Sequence, residues 1–135
     1  MGIRANKAIV RALTKVSNQG DFEGSLKYMA PDYVYNGQPS DREADRAQSA
    51  AMLAAFPNGR ITLDEMIGNG DKVVVRWTLK GTHKGAFMGA KPTGKRIRME
   101  GISIYTFKNG LVVGVREQYD KYGFLEQLGL IPASG

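Results

Sequence analysis

The sequence predicts one α+β domain over residues 1–135, with helices packed on one face of a curved antiparallel sheet. Three observations lead there. Segments with one apolar helical face fill the first 56 residues, β-type runs follow in succession from Arg60, and tight turns rich in Asn and Gly separate those runs. Helices grouped at one end and strands at the other are the mark of the α+β class, as opposed to the alternation of a parallel α/β sheet.

Each element has a local reason. From Ile3 to Val16 the apolar residues Ile9, Val10, Leu13 and Val16 recur at helical spacing between Arg4, Lys7, Arg11 and Lys15. Asn18-Gln19-Gly20 ends that helix, and Asp21 caps a second one over Phe22 to Met29. Pro31 breaks it, and Tyr33-Val34-Tyr35 reads as a short strand. Gln38 to Asp41 is a turn and helix start, and an alanine-rich helix runs from Asp41 to Phe56, where Pro57-Asn58-Gly59 stops it. Arg60 to Met66 alternates as a strand, Gly68 to Asp71 turns, and Lys72 to Lys80 is a clear strand. On that strand Val73, Val75, Trp77 and Leu79 share one face. Gly81 to Lys95 holds four glycines and a proline and reads as a long loop, either a wide connection between strands or the rim of a pocket. The final hairpin turns at Lys108-Asn109-Gly110, between strands that begin at Arg96 and Leu111, and a helix closes the chain towards Leu130.

Composition narrows the function. Without cysteine there are no disulfides, thiolate metal sites or cysteine nucleophile, and one histidine with scattered carboxylates leaves no zinc-type spacing. No metal is expected. No apolar run approaches the roughly 20 residues that span a bilayer, and the N-terminal residues lack the apolar segment of a secretory signal. We therefore expect a cytoplasmic protein with no membrane partner. The net charge of +6 is spread along the chain, with no basic helix or aromatic-interleaved platform, so no nucleic-acid partner is expected either.

The best chemical lead is the end of the last strand, Arg116-Glu117-Gln118-Tyr119-Asp120. Arg116, Gln118 and Asp120 share one face, Glu117 and Tyr119 the other, and a carboxylate on an inward face must be paired or used. Asp120 serves either as a helix cap or as an acid/base group. Arg116 and Gln118 would hold a developing oxyanion or lie on a solvated face. His83 is the lone residue that titrates near neutrality unaided, and lies in the glycine-rich loop at the expected pocket mouth. Tyr35, Trp77 and Tyr105 are core aromatics or pocket lining, and Asn36 turns the chain or donates to a substrate carbonyl.

GDFEGSLKYMAPDYV, AAFPNGRI, GDKVVVRWTLKGTHKGAFMGAKPTGKRI and DKYGFLEQLGL, in that order, resemble the SnoaL-like polyketide cyclases over nearly the whole chain. The resemblance implies a cone-shaped α+β barrel, its curved sheet wrapped round the N-terminal helices to leave a deep apolar pocket. It also implies ring closure by aldol chemistry without metal or cofactor, with the general acid/base falling on Asp120. Asn36 stands where many family members carry histidine, and the strand matching Gly101 to Phe107 lacks the histidine that some cyclases use. The expected activity is thus acid/base chemistry on a small apolar or polycyclic carbonyl compound. Its catalytic residues would be Asp120, Arg116 and Gln118, with Asn36, Tyr35, Trp77, His83 and Tyr105 binding substrate. Epoxide hydration and a non-catalytic binding or dimerisation module are the alternatives. Because the outer sheet face must be covered, a homodimer is expected.

Overall fold

A computed structural model describes residues 2–132; Met1 and residues 133–135, which the expected domain includes, lie outside the described residues. Its elements run α1 (Ile3–Asn18), α2 (Phe22–Leu26), β1 (Met29–Tyr35), β2 (Gln38–Asp41), α3 (Arg42–Ala55), β3 (Arg60–Asn69), β4 (Lys72–Thr82), β5 (Arg96–Lys108), β6 (Leu111–Tyr119) and α4 (Lys121–Leu128). The six strands form one sheet in the order β2-β1-β6-β5-β4-β3. All neighbours are antiparallel except β1 and β6, so the sheet is mixed.

The hairpins form where the turn chemistry calls for them. Asn109 and Gly110 take φ of 52° and 78°, the paired positive dihedrals that suit the twist of flanking strands. Asn36 and Gly37 do the same between β1 and β2 with φ of 49° and 81°. That second hairpin departs from expectation: Gln38 to Asp41 is a strand instead of a turn, and α2 ends at Leu26, so that β1 already begins at Met29. Both strands carry a proline, which removes a ladder donor. Pro39 sits on the edge strand β2, and Pro31 falls in the irregular stretch of the β1–β6 pairing between Met29 and Val34. Asp41 still caps α3, accepting from Ala44 N at 2.8 Å.

One sheet face is buried in two adjoining clusters. Val10 of α1 packs with Met29, Tyr33, Val73, Val75, Phe107, Val112 and Val115. Ala55 and Phe56, at the end of α3, pack with Leu79, Ile97, Met99, Phe124 and Leu128. Trp77 borders both clusters. The end of α1 is stitched to β3 by Asn18, whose Nδ2 donates to Ile61 O and whose Oδ1 accepts from Ile61 N, both at 2.8 Å. The glycine-rich loop is anchored as well: Lys84 N and Gly85 N both donate to Ala55 O, at 2.9 and 3.1 Å.

Candidate active site

β6 changes phase within its own length. Thr106 of β5 pairs with Gly114 and Phe107 with Val112, leaving Val113 as an extra residue on β6, a β-bulge. Val112 is fully buried, and the next buried residue is Val115, three residues on instead of two or four. Beyond the bulge the inward positions are therefore Val115, Glu117 and Tyr119. The register agrees, setting Glu117 opposite Ser103 and Tyr119 opposite Gly101, residues of the buried face of β5.

Glu117 lies at the centre of a polar chain that crosses four strands. Trp77 Nε1 of β4 donates to Ser103 Oγ of β5 at 2.8 Å, and Ser103 Oγ donates to Glu117 Oε2 at 3.0 Å. The Tyr35 hydroxyl of β1 donates to the other carboxylate oxygen, Oε1. Asn36 holds the backbone at that point. Its Oδ1 accepts from Glu117 N at 2.7 Å, and its Nδ2 donates to Glu117 O at 3.3 Å. The carboxylate thus accepts two hydroxyls while its strand is clamped on the far side.

A second carboxyl stands near. Burial raises the pKa of Asp45, in the first turn of α3, and the charge of Glu117 raises it further. Burial likewise raises Tyr35, Tyr33 and Tyr105, and Tyr105 responds to the charges of both Glu117 and Asp45. Among the described residues no hydrogen bond occupies the Tyr105 hydroxyl. Asp45 makes a pH prediction possible. Its native form binds a proton more readily than the unfolded chain does, whose value lies near 3.8. Its contribution to stability is therefore greatest at low pH and is lost as pH rises through the raised native value. Asp45→Asn should remove that fall, so that wild type and variant diverge as pH increases in urea melts; parallel curves would contradict the assignment.

Gly101 makes room for the aromatic part of the site. A Cβ there would stand 2.3 Å from the Trp77 ring, which lies across the strand at that point. Gly101→Ala should displace the indole from Ser103 and cost about 1–3 kcal/mol, the range for overpacking. Trp77 is the sole tryptophan, so its fluorescence reports the change directly. An unshifted emission maximum would mean the ring is not held as described.

The structure thus gathers Tyr35, Asn36, Trp77 and Tyr105, all singled out from the sequence, but around Glu117 instead of Asp120. Arg116 and Gln118 project from the opposite face of β6 and are exposed. Asp120, also exposed, caps α4, accepting from Gly123 N at 2.9 Å. Asp120 and Gln118 border a shallow groove of about 300 Å³ with Arg76, Glu100 and Ile102. His83 is not at a mouth: it is 0% exposed, packed on Phe56 with ring centroids 5.5 Å apart. Its Nδ1 lies 2.9 Å from Thr93 Oγ1 and accepts from Thr93 N at 3.2 Å, which ties the two ends of the loop together. Asp45, Ser103 and the inward placement of Glu117 escaped the sequence reading. The alternation of Ile97, Met99, Gly101, Ser103 along β5 was the available signal, since the neighbour's register carries it across to Glu117.

A family model described as SnoaL-like polyketide cyclase matches residues 7–128. The chain belongs to that family. Solved structures of similar fold include AclR of Streptomyces galilaeus, which carries a provisional hydroxylase assignment. It is 26% identical with a TM-score of 0.91, over 99% of this chain and 87% of that one. IdmH of Streptomyces antibioticus, provisionally a polyketide cyclase, is 29% identical with a TM-score of 0.82, over 92% and 98%. A provisional polyketide cyclase of Acidithiobacillus ferrooxidans is 30% identical with a TM-score of 0.83, over 96% and 99%. No curated protein matches at a significant level. The SnoaL-like fold here is the α+β architecture of a six-stranded mixed sheet with four helices. Among the described residues there is no group of three or more His, Cys, Asp or Glu that could hold a metal, and no helix long and apolar enough to cross a membrane.

Proposed function

We propose that this SnoaL-like protein is a cofactor-independent enzyme acting by general acid/base chemistry on a small, largely apolar carbonyl compound, with Glu117 as the base. The observation that carries the reading is the inward-facing Glu117 carboxylate, fixed by hydroxyls from two neighbouring strands beside a half-buried second carboxyl. Two carboxyls in unlike environments can divide the acid and base roles. Glu117 takes the proton from the carbon next to the substrate carbonyl, and the electrons move onto the carbonyl oxygen. The Tyr105 hydroxyl donates to that oxygen as charge develops. The enolate carbon then attacks a second carbonyl of the same molecule, forming the carbon–carbon bond, and the resulting alkoxide takes a proton from Asp45. Transfer of the first proton from Glu117 to Asp45 resets the pair. The side chains that bond the Glu117 carboxylate are neutral, which suits a substrate without charge at its reacting end.

A second reading rests on the groove of Asp120, Gln118 and Arg76, where a carboxylate could direct water onto an epoxide. Heavy-oxygen water separates the two, since hydration places the label in the product and ring closure does not. Parallel assays of Glu117→Gln and Asp120→Asn decide which face reacts. A homodimer and a cytoplasmic site of action belong to this proposal too. The dimer is supported by Ile102, 49% exposed on the outer sheet face, and a monomeric mass in sedimentation would remove it.

A further inference from the structure

The far end of the β4–β5 ladder carries a second cleft, on the sheet face opposite Glu117. It measures about 500 Å³ and is lined by Lys80, Arg96, Arg98, Thr82, Asn58 and Gln127 among others. The antiparallel register sets Lys80 directly opposite Arg98, and Thr82 opposite Arg96. Three cations therefore converge on one face within two residue pairs. Like charges placed opposite each other on a sheet destabilise it, so the arrangement costs the fold something unless an anion sits between them.

The protein's own anions do not relieve it. Arg98 is bridged to Glu100 at 3.1 Å, but Glu100 also faces Arg76 at 3.7 Å. Among the described residues neither Lys80 nor Arg96 takes part in an ion pair. Even with Glu100 counted wholly against Arg98, two positive charges remain.

The walls are held still by two side-chain amides. Asn58 Oδ1 accepts from Thr82 N at 2.7 Å while its Nδ2 donates to Thr82 Oγ1 at 3.1 Å. Gln127 Oε1 accepts from Arg98 N at 2.7 Å while its Nε2 donates to Arg98 O at 2.8 Å. One clamp comes from the segment after α3 and the other from α4, so both strands are fixed while the Lys80 and Arg96 side chains stay exposed. Pre-organised walls lower the ordering cost of binding.

We propose that this cleft binds a small phosphate monoester, whose charge of about −1.5 to −2 near neutrality matches the unpaired pair of cations. Guanidinium groups suit phosphate because their planar fork can meet two of its oxygens at once. The site is independent of Glu117, and its test does not use activity. Binding of inorganic phosphate and of glycerol 2-phosphate is measured by calorimetry at low salt, with sodium chloride at matched ionic strength as control. The wild type should bind both, and the Lys80→Ser/Arg96→Ser double variant should bind about a hundredfold more weakly, since each of the two lost charge-assisted bonds contributes about tenfold. Tighter binding of the ester assigns the cleft to an organic phosphate, and equal binding assigns it to the free ion. Equal affinity in wild type and double variant, or no heat beyond the chloride control, would overturn the proposal. Both substituted side chains are exposed, and an unchanged melting temperature without phosphate checks that the variant folds.

Discussion

Glu117→Gln should lower turnover by about 10²–10⁴-fold, the usual contribution of a positioned general acid or base, while leaving the fold in place. Glutamine has nearly the same shape and still offers an oxygen to Ser103 or Tyr35, but it cannot take a proton. The backbone clamp from Asn36 does not depend on the side chain, so the register of β6 should survive. The change should appear mainly in kcat, with KM little altered, because the lost group acts on the proton in flight. Asp120→Asn is the natural partner experiment. Asparagine caps a helix about as well as aspartate, so this variant should keep both its stability and its activity. The opposite pattern, with Glu117→Gln active and Asp120→Asn dead, would move the chemistry to the outer face of the sheet.

Phe56→Ala should cost about 3–5 kcal/mol, the range for removing a buried phenylalanine. Phe56 follows α3 directly and is 1% exposed. Its ring centroid lies 5.5 Å from those of His83 and Phe87 and 5.7 Å from that of Phe124. One side chain therefore joins the end of α3, the glycine-rich loop and α4. Truncation leaves a cavity between three elements, and the loop's backbone bonds to Ala55 lie at its edge. Against a typical total stability of about 5–15 kcal/mol, that loss should be plain in a urea melt. Phe56→Leu keeps most of the apolar volume and should cost distinctly less. A loss below about 1 kcal/mol for the alanine variant, the level of a surface change, would mean the cluster is not packed as described.

The two long helices and the two later hairpins were readable because their causes are local. The spacing of Ile9, Val10, Leu13 and Val16, the cap at Asp41 and the turn at Asn109-Gly110 each act over a few residues. β2 and the early start of β1 were missed for different reasons. Both contain proline, which argues against a strand. β2 pairs with β1 alone across Asn36-Gly37, a local turn signal that the prolines obscured, whereas β1 is held by parallel pairing to β6, far along the chain. His83 was misplaced for a similar reason. A histidine among glycines looks solvated until Phe56 and Thr93, remote in sequence, close over it.

The chain's own pattern settled the class of fold and brought a carboxylate to the end of the last strand. Which carboxylate points inward was left to the assembled sheet. Counting every second residue from the buried Val112 leads to Arg116, Gln118 and Asp120, which lie on the exposed face. The extra residue at Val113 shifts the count, and that bulge exists only as a relation between β6 and β5. Alternation is a property of one strand, but its phase past a bulge is set by the partner, and so the position of Glu117 was decided by Ser103 across the ladder.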